Sequence, residues 1–190
     1  GWLPDGSAGL EAATRQAIRD GYQPYREALT YAHPDPTTRR RQVFAAFDRF
    51  CVLCAQRETA RGVHAINALV SQHVQQWVGD THATFTGSPW YLGRPVMVLR
   101  NDYVLKLFNG DIGICLPNDA GELMVWFPGQ EAGFRPVAPI RLPEHDTAFA
   151  MTVHKAQGSE FESVLLLLPE QTNRVVTREL LYTAVTRASK

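Results

Sequence analysis

The sequence of 190 residues contains few cysteines, no long apolar run and no excess of charge of either sign. Its three cysteines, an odd number, argue against a disulfide framework and favour a reducing compartment such as the cytoplasm. No apolar run approaches the roughly 20 residues that a membrane-spanning helix needs, so we expect no membrane association. Because 19 basic residues balance 19 acidic ones, a nucleic-acid binder of this composition must use a local groove.

Two further signatures of chemistry are missing or incomplete. The phosphate-binding motif G-x-x-x-x-G-K-[ST] is absent, and no acidic motif that could hold Mg²⁺ follows an apolar strand. Cys51 and Cys54 have the spacing of metal ligands, but residues three apart on a strand point to opposite faces. Since no second Cys/His pair offers the other ligands, we predict core cysteines and no metal site.

The first 42 residues favour short helices separated by breaks. Helices are predicted over 8–20, with Ser7 as cap and Gly21 as stop, then over 24–31, and then from Asp35-Pro36 onwards. The third carries Arg39-Arg40-Arg41, a basic run that can contact phosphates or form a solvated helix face.

After this lead-in the pattern is that of an α/β protein. Apolar strands are predicted over 50–55, 93–100, 149–153 and 164–168, and the uninterrupted run Val164–Leu168 is typical of a central parallel strand. An amphipathic helix follows Gly62. Thr177 can cap the last helix, with Glu179 in its first turn.

Residues 101–143 differ in character, with hairpin turn signals between short strands around 104–107, 113–116, 122–127 and 134–138. This spacing predicts a small antiparallel barrel. Its aromatic residues Trp126, Phe127 and Phe134 can pack in the core or stack on bases.

A polar turn, His154–Glu160, joins the last two strands. Gly158 permits a close backbone approach to an anion, and a carboxylate beside basic groups suits a nucleotide. A plain tight turn remains the alternative at this point.

The flanking sequences carry a family resemblance. The stretches MTVHKAQGSEF and ELLYTAVTRA resemble motifs V and VI of superfamily 1 DNA helicases. Three longer stretches are similar to the exodeoxyribonuclease V alpha subunits, the RecD family: CVLCAQRETARGVHAIN, WYLGRPVMVLRNDYVLKLFNGDIGICLP and RLPEHDTAFAMTVHKAQGSEF. The resemblance extends over about residues 43–190.

The resemblance implies a fold and a domain organisation. We expect a RecA-like (P-loop NTPase-like) parallel-sheet domain without its phosphate loop, called 2A, over 43–100 and 144–190. An SH3-like barrel, called 2B, would be inserted over 101–143, and 1–42 would be a helical lead-in. The chain would be a C-terminal piece, the second motor domain without the first.

The resemblance also implies a function. The complete protein would be the ATP-dependent 5′-to-3′ helicase subunit of RecBCD, acting in double-strand-break repair and recombination. Its partners would be single-stranded DNA and the RecB and RecC subunits. Its cofactors would be ATP and Mg²⁺, with the Mg²⁺ ligands outside this chain. The chain alone would need no cofactor and would be inactive.

Motif by motif, the resemblance assigns site residues. Arg187 would neutralise charge on the transferred phosphate, although a helix-end salt bridge is the structural alternative. Nucleotide-binding residues would be Gln157, Gly158, Glu160 and Arg187. DNA-binding residues would be Thr152, His154, Arg57, Asn67 and Asn101. Lys155 could contact a phosphate or remain solvated, and Arg57 could instead form a surface ion pair.

Two other classes remain open. One is the helicase half of a conjugative relaxase, which the match of RNDYVLKLFNGDIG disfavours. The other is a non-enzymatic module in which the small barrel docks DNA or a protein.

Overall fold

The computed structural model describes residues 10–79, 88–129, 133–169 and 177–189. Its helices are α1 Ala12–Gly21, α2 Gln23–Thr30, α3 Pro36–Phe47, α4 Val63–Val78 and α5 Arg178–Val185. Its strands are β1 Phe50–Cys54, β2 Pro95–Val98, β3 Ile112–Pro117, β4 Leu123–Pro128, β5 Phe134–Val137, β6 His145–Thr147, β7 Ala150–Thr152 and β8 Ser163–Leu167. The predicted helices are therefore confirmed within a few residues, while Ser7 lies outside the described residues.

The chain divides into two compact units. The first contains the chain up to Tyr25, Ala45–His73 and the residues from Phe149 onwards; the second contains Arg26–Phe44 and Val74–Ala148. In the described part of the chain, no helix is both long and apolar enough to cross a membrane.

The first unit is built on a parallel three-stranded sheet in the order β7-β1-β8. Every residue of the central strand β1 is buried. Leu53 pairs with Met151 on one side and with Leu166 on the other. The predicted parallel α/β sheet is confirmed, because an apolar strand such as β1 needs partners on both sides and cover on both faces.

An aromatic cluster ties helix α1 to this sheet. The ring of Tyr22 packs edge-on against Phe50 and Phe149, with ring centroids 5.0 and 5.4 Å apart. Its hydroxyl donates a hydrogen bond to the carbonyl oxygen of Phe149, and burial raises the pKa of Tyr22 well above its usual value. The hydroxyl thus stays neutral and serves as a buried donor at the start of β7.

The second unit is built on an antiparallel sheet in the order β5-β4-β3-β2-β6. The assignment of 93–100 to the parallel sheet is wrong, because Val96 of β2 pairs with Gly113 of β3 and Thr147 of β6. A short buried strand with the sequence PVMV has no feature that distinguishes one sheet from the other. Its partners are set by the chain that follows, and the antiparallel sheet therefore begins at Pro95 and ends at Thr147.

Two predictions about this second sheet need correction. The expected strand over 104–107 is a turn, closed by reciprocal backbone hydrogen bonds between Asp102 and Leu107 of 2.7 and 2.9 Å. Its apolar residues Val104, Leu105 and Leu107 are typical of a short strand, but the carboxylate of Asp102 accepts the Leu105 N–H and holds the turn. The terminal strands β5 and β6 do not pair within the described residues, so the sheet is open and a closed SH3-like barrel is not shown. The predicted strands over 113–116, 122–127 and 134–138 are confirmed.

The aromatic residues of β4 and β5 are used in packing. Phe127 lies in the hydrophobic core of the second unit. The indole N–H of Trp126 donates to the Leu116 carbonyl oxygen at 3.0 Å. Phe134 packs against Phe44 with centroids 5.0 Å apart. All three rings therefore take part in packing, with Trp126 and Phe127 buried and Phe134 half-buried.

Candidate functional site

The carboxyl ends of the three parallel strands lie side by side. Cys54 at the end of β1 pairs with Thr152 at the end of β7 and with Leu167 at the end of β8. The segments that follow β1 and β7 therefore leave the sheet at the same edge, where α/β proteins place their ligands. They are the loop 55–62 and the turn His154–Glu160.

The turn after β7 has the conformation of a compact elbow. Backbone N–H groups of Ala156 and Ser159 donate to the carbonyls of Thr152 and Ala156, at 3.1 Å each. Gly158 has a φ of +89°, which L-residues with a side chain rarely adopt. A Cβ added there would meet no atom within 4 Å. The glycine is thus required by the backbone conformation, and open space adjoins it.

Arg187 lies directly against this elbow. Its guanidinium donates from Nη1 to the Ser159 carbonyl oxygen at 3.4 Å, and its Nε donates to the Thr183 carbonyl oxygen at 3.3 Å. Thr186 accepts a third hydrogen bond at 3.4 Å. These partners are oxygens of carbonyl and hydroxyl groups, and none of them in the described residues is a carboxylate.

The backbone around Arg187 is fixed from both sides. Helix α5 begins at Thr177, whose hydroxyl accepts the Leu180 N–H at 3.1 Å as predicted, and ends just before Arg187. The Phe161 N–H then donates to the Arg187 carbonyl at 2.9 Å. Accordingly the last turn of α5 and the residues after the elbow are bonded to each other, which holds the arginine beside Gly158.

Hydrogen bonds to the backbone of Glu179 and to the Thr177 side chain lower the pKa of the Glu179 carboxyl from its usual value. A carboxylate in the first turn of a helix complements the unpaired N–H groups there. The start of α5 is therefore capped by local charge as well as by Thr177.

The other nucleotide candidates line the same elbow. Gln157 and Glu160 are exposed on either side of Gly158, so their side chains are available to a ligand at this edge. The structure brings together all four residues of the nucleotide-binding prediction.

The DNA candidates on β7 have different availability. His154 is exposed. The hydroxyl of half-buried Thr152 accepts the Lys155 N–H at 3.3 Å, which leaves its own proton free to be donated. Thr152 ends β7, and His154 and Lys155 follow it at the start of the elbow.

Arg57 is exposed in the loop after β1, and Gly62 sets the shape of that loop. A Cβ on Gly62 would lie 2.4 Å from the Arg57 carbonyl oxygen. The Gly62 N–H donates to the Thr59 carbonyl at 2.8 Å, and helix α4 begins at the next residue. The only side chain that this close backbone approach permits is hydrogen.

We therefore expect Gly62→Ala to lower the free energy of unfolding by about 1–3 kcal/mol, because the methyl group can be accommodated only by moving backbone. Urea unfolding of the purified chain measures this. Gly129→Ala is the matched control, since a Cβ there first meets an atom at 3.4 Å. An unchanged urea midpoint for Gly62→Ala would show that the loop backbone can move aside for a methyl group at Gly62.

Asn67 has a different use from the one predicted. Its side chain is only 7% exposed and bonds the backbone of Ala150 twice, donating to the carbonyl at 3.0 Å and accepting the N–H at 2.8 Å. It thereby substitutes for a neighbouring strand along β7, which is at the edge of the sheet. Because both ends of the amide are engaged, we do not place Asn67 in a DNA-binding surface. An asparagine in an otherwise apolar helix stripe was the one sequence signal for this role.

Asn101 belongs to the second unit and likewise supports the backbone. Its side-chain oxygen accepts the Asn109 N–H at 2.8 Å.

Arg61 lies close to the candidate site but was not singled out from the sequence. It is buried in the loop after β1. Nothing in its sequence context distinguished it from a solvated arginine.

The cysteines form no reactive centre. Cys51, Cys54 and Cys115 are free and buried. Burial raises the pKa of Cys54 and Cys115 to about 12 and that of Cys51 well above its usual value. No group of three or more metal-ligating side chains is found in the described ranges.

Known proteins resemble this chain in sequence. A family model described as "UvrD-like helicase C-terminal domain" matches residues 147–190. The RecBCD enzyme subunit RecD of Mycolicibacterium smegmatis is 42% identical over 149 residues, which cover 78% of this chain and 25% of that protein. The subunit of the same name from Haemophilus influenzae is 33% identical over 195 residues, covering 94% of this chain and 28% of that protein. The chain thus spans about a quarter of the length of these relatives.

Solved helicase structures resemble it more distantly. Pif1 helicase from Candida albicans has a TM-score of 0.49 at 18% identity, covering 91% of this chain and 51% of that chain. Pif1 helicase from Bacteroides in complex with ADP-AlF3 and ssDNA has a TM-score of 0.46 at 15% identity, covering 97% of this chain and 48% of that chain.

Proposed function

We propose that this chain, which belongs to the RecD family, is one part of an ATP-driven DNA helicase subunit. It would supply an arginine to the nucleotide-binding site, and another domain would supply the phosphate loop. The observation that carries the proposal is the position of Arg187, whose guanidinium lies against the Ser159 carbonyl beside Gly158 at the carboxyl edge of a parallel sheet. An arginine beside an open elbow at this edge has the placement needed to meet the phosphates of a nucleotide bound by another domain.

The chemistry of phosphoryl transfer explains why an arginine is needed. Charge spreads over the oxygens of the transferred phosphate in the transition state, and the protein contributes mainly positioning and electrostatic stabilisation. Guanidinium stays charged and presents donors in a planar fork that matches phosphate oxygens. Three weak hydrogen bonds, all at 3.3 Å or more, hold Arg187, and each of these acceptors is an uncharged oxygen of a described residue.

The elbow residues would complete the contact with the nucleotide. The exposed backbone at Gly158 can approach phosphates, because no side chain stands between it and solvent. Gln157 would contact their edge, and the Glu160 carboxylate would accept from the ribose hydroxyls. ATP with Mg²⁺ would be the cofactor of the complete protein. The donors on this edge suit a nucleotide but offer no cluster of metal ligands in the described residues, so the Mg²⁺ ligands would come from elsewhere.

The residues just before the elbow would face DNA. Thr152, His154 and Arg57 lie at or just beyond the ends of β7 and β1, which are adjacent strands. Hydroxyl, imidazole and guanidinium donors bind the DNA backbone without reading its sequence. Thr152 accepts a hydrogen bond from Lys155, which begins the turn that leads to Gly158. A shift of the DNA backbone at Thr152 would therefore move the nucleotide contacts at Gly158 through this short segment.

The complete protein would translocate 5′ to 3′ on single-stranded DNA as the RecD subunit, with RecB and RecC as its partners in recombination and break repair in the cytoplasm. The antiparallel second unit would be the SH3-like insertion of such a protein, although its boundaries differ from 101–143 at both ends. The names of the relatives, each a RecBCD enzyme subunit, support this assignment.

The purified chain is expected to show no ATP hydrolysis, with or without single-stranded DNA, because its sequence has an arginine for the site but no phosphate loop. A coupled assay of phosphate release measures this, with the full-length Mycolicibacterium smegmatis subunit as positive control. Steady, DNA-stimulated turnover by the chain alone would contradict the proposal that it forms only half of the site.

A further inference from the structure

The second unit presents a small apolar surface on a loop. We define the tip loop as residues Asn101–Asp111. Within it Tyr103 is 77% exposed, Val104 87% and Phe108 48%. The rings of Tyr103 and Phe108 meet edge-on with centroids 6.3 Å apart. Exposing two aromatic rings and a valine together gives up burial that folding would otherwise gain, so this surface is a candidate for binding.

The backbone of the tip loop is braced by many hydrogen bonds. Asp102 accepts the Leu105 N–H and Asp111 accepts the Phe108 N–H, each through a side-chain oxygen at 2.8 Å. Leu107 is fully buried in the core of the unit and anchors the loop. The rings are therefore held outward by a loop that is fixed at several points, and little entropy is lost when they bind a ligand.

Arg135 of β5 reinforces the same loop from a neighbouring strand. Its guanidinium donates to the carbonyl oxygens of Leu105 and Lys106, the latter at 3.0 Å. Lys106 itself has a φ of +49°, an uncommon conformation for a residue with a side chain. The loop keeps this conformation because its neighbours fix it. The side chain of Lys106 is exposed, and Lys106 lies between Tyr103 and Phe108 in the sequence.

The charged side chains nearest the rings in sequence differ in exposure, and exposed Glu144 lies close to Arg100, since its carbonyl accepts the Leu99 N–H. Arg100 and Lys106 are exposed, whereas the acidic residues Asp102 and Asp111 are half-buried and accept backbone N–H groups. A ligand for this surface needs planar apolar groups for the rings and negative charge for the cations. Single-stranded nucleic acid has both, because each base offers a flat face and each nucleotide carries a phosphate.

We propose that the tip loop is a base-stacking contact for single-stranded DNA, with Tyr103 and Phe108 stacking on bases and Arg100 and Lys106 contacting phosphates. This inference rests on the proposed function as a helicase subunit and names a contact outside the helicase motifs. It also replaces Trp126, Phe127 and Phe134 as the stacking residues, because those rings are used in packing.

The test measures binding of a fluorescent oligo-dT to the whole chain by anisotropy. Tyr103→Ala and Phe108→Ala are each expected to weaken binding by about 10-fold, within the range found for loss of one base–aromatic stack. Tyr103→Phe is expected to bind as the wild type, because it keeps the ring. Ile140→Ala is the matched control, since Ile140 is 95% exposed in the same unit but lies outside the tip loop.

Two further readouts separate stacking from charge. An oligonucleotide of abasic sites keeps the phosphates and lacks the bases, so its affinity should not respond to Tyr103→Ala. Lys106→Ala should reduce the slope of log affinity against log salt by about one, whereas the ring variants should leave this slope unchanged.

The outcomes that overturn the proposal are distinct. Oligo-dT affinity unchanged in the Tyr103→Ala/Phe108→Ala double variant would overturn it and would leave this surface for a protein partner. Equal loss of affinity for the abasic and dT oligonucleotides would overturn stacking. Absence of binding by the wild-type chain would also overturn it, while the proposed function would still be decided independently by the effect of Arg187 on hydrolysis.

Discussion

Replacing Arg187 by alanine in the full-length subunit is expected to lower DNA-stimulated ATP hydrolysis by about 10³-fold or more. The affinity for ATP should change by only a few-fold. The reason is that the guanidinium lies beside the elbow, bonded to the Ser159 carbonyl, where in the proposed role it would meet charge that develops only in the transition state. Stopped-flow phosphate release gives the rate, and fluorescent-nucleotide titration gives the affinity.

Arg178→Ala is the matched control for this experiment. Arg178 is an exposed arginine in the first turn of the same helix α5, at the end away from the elbow. Its loss should leave hydrolysis unchanged. Arg187→Lys should recover little of the rate, because a lysine lacks the planar fork. Equal losses of affinity and turnover in Arg187→Ala would instead show an interaction with the ground state and would refute the proposed role.

Replacing Asn67 by alanine is expected to lower the free energy of unfolding of the chain by about 2–4 kcal/mol. The substitution leaves the N–H and the carbonyl of Ala150 without their side-chain partner at an edge strand. Each buried backbone group left unsatisfied costs about 1–3 kcal/mol. Since a domain is stable by only about 5–15 kcal/mol, this is a large share of the total. Urea unfolding followed by circular dichroism measures it.

The exposed amide of Gln72 on the same helix supplies the control, and Gln72→Ala should leave the unfolding midpoint unchanged. Asn67→Asp should destabilise at least as much as Asn67→Ala, because its carboxylate would face the Ala150 carbonyl oxygen. A contact with DNA would give the opposite pattern: weaker binding of oligo-dT by Asn67→Ala with an unchanged stability.

The parts of the fold that could be predicted from the sequence are those that depend on local patterns. The elbow at Gly158 and the capped start of α5 at Thr177 each depend on a few adjacent residues, and the structure shows both. The apolar runs of β1 and β8 likewise predicted parallel strands. The run Val164–Leu168 was expected to be a central strand, but in the described residues β8 lies at one end of the sheet and β1 is central. What joined Arg187 to the elbow was the resemblance to helicase motifs, since no local pattern links residues so far apart.

The failures have the opposite cause. The strand β2 was assigned to the wrong sheet because its partners, Gly113 and Thr147, are set by distant parts of the chain. The strand predicted over 104–107 is a turn, because the apolar residues there outweighed the weaker signal of Asp102 as a turn former. For Asn67, the sequence shows a polar side chain but not the Ala150 backbone that it bonds.

The three buried thiols make the chain suited to site-specific labelling. Thiol-reactive dyes attack the thiolate, and burial keeps Cys51, Cys54 and Cys115 protonated at neutral pH. A single cysteine introduced at Gln72 would therefore be the one site to take up a maleimide fluorophore without removal of the native residues. Energy transfer between that dye and a labelled oligonucleotide would then report the binding of single-stranded DNA to this chain.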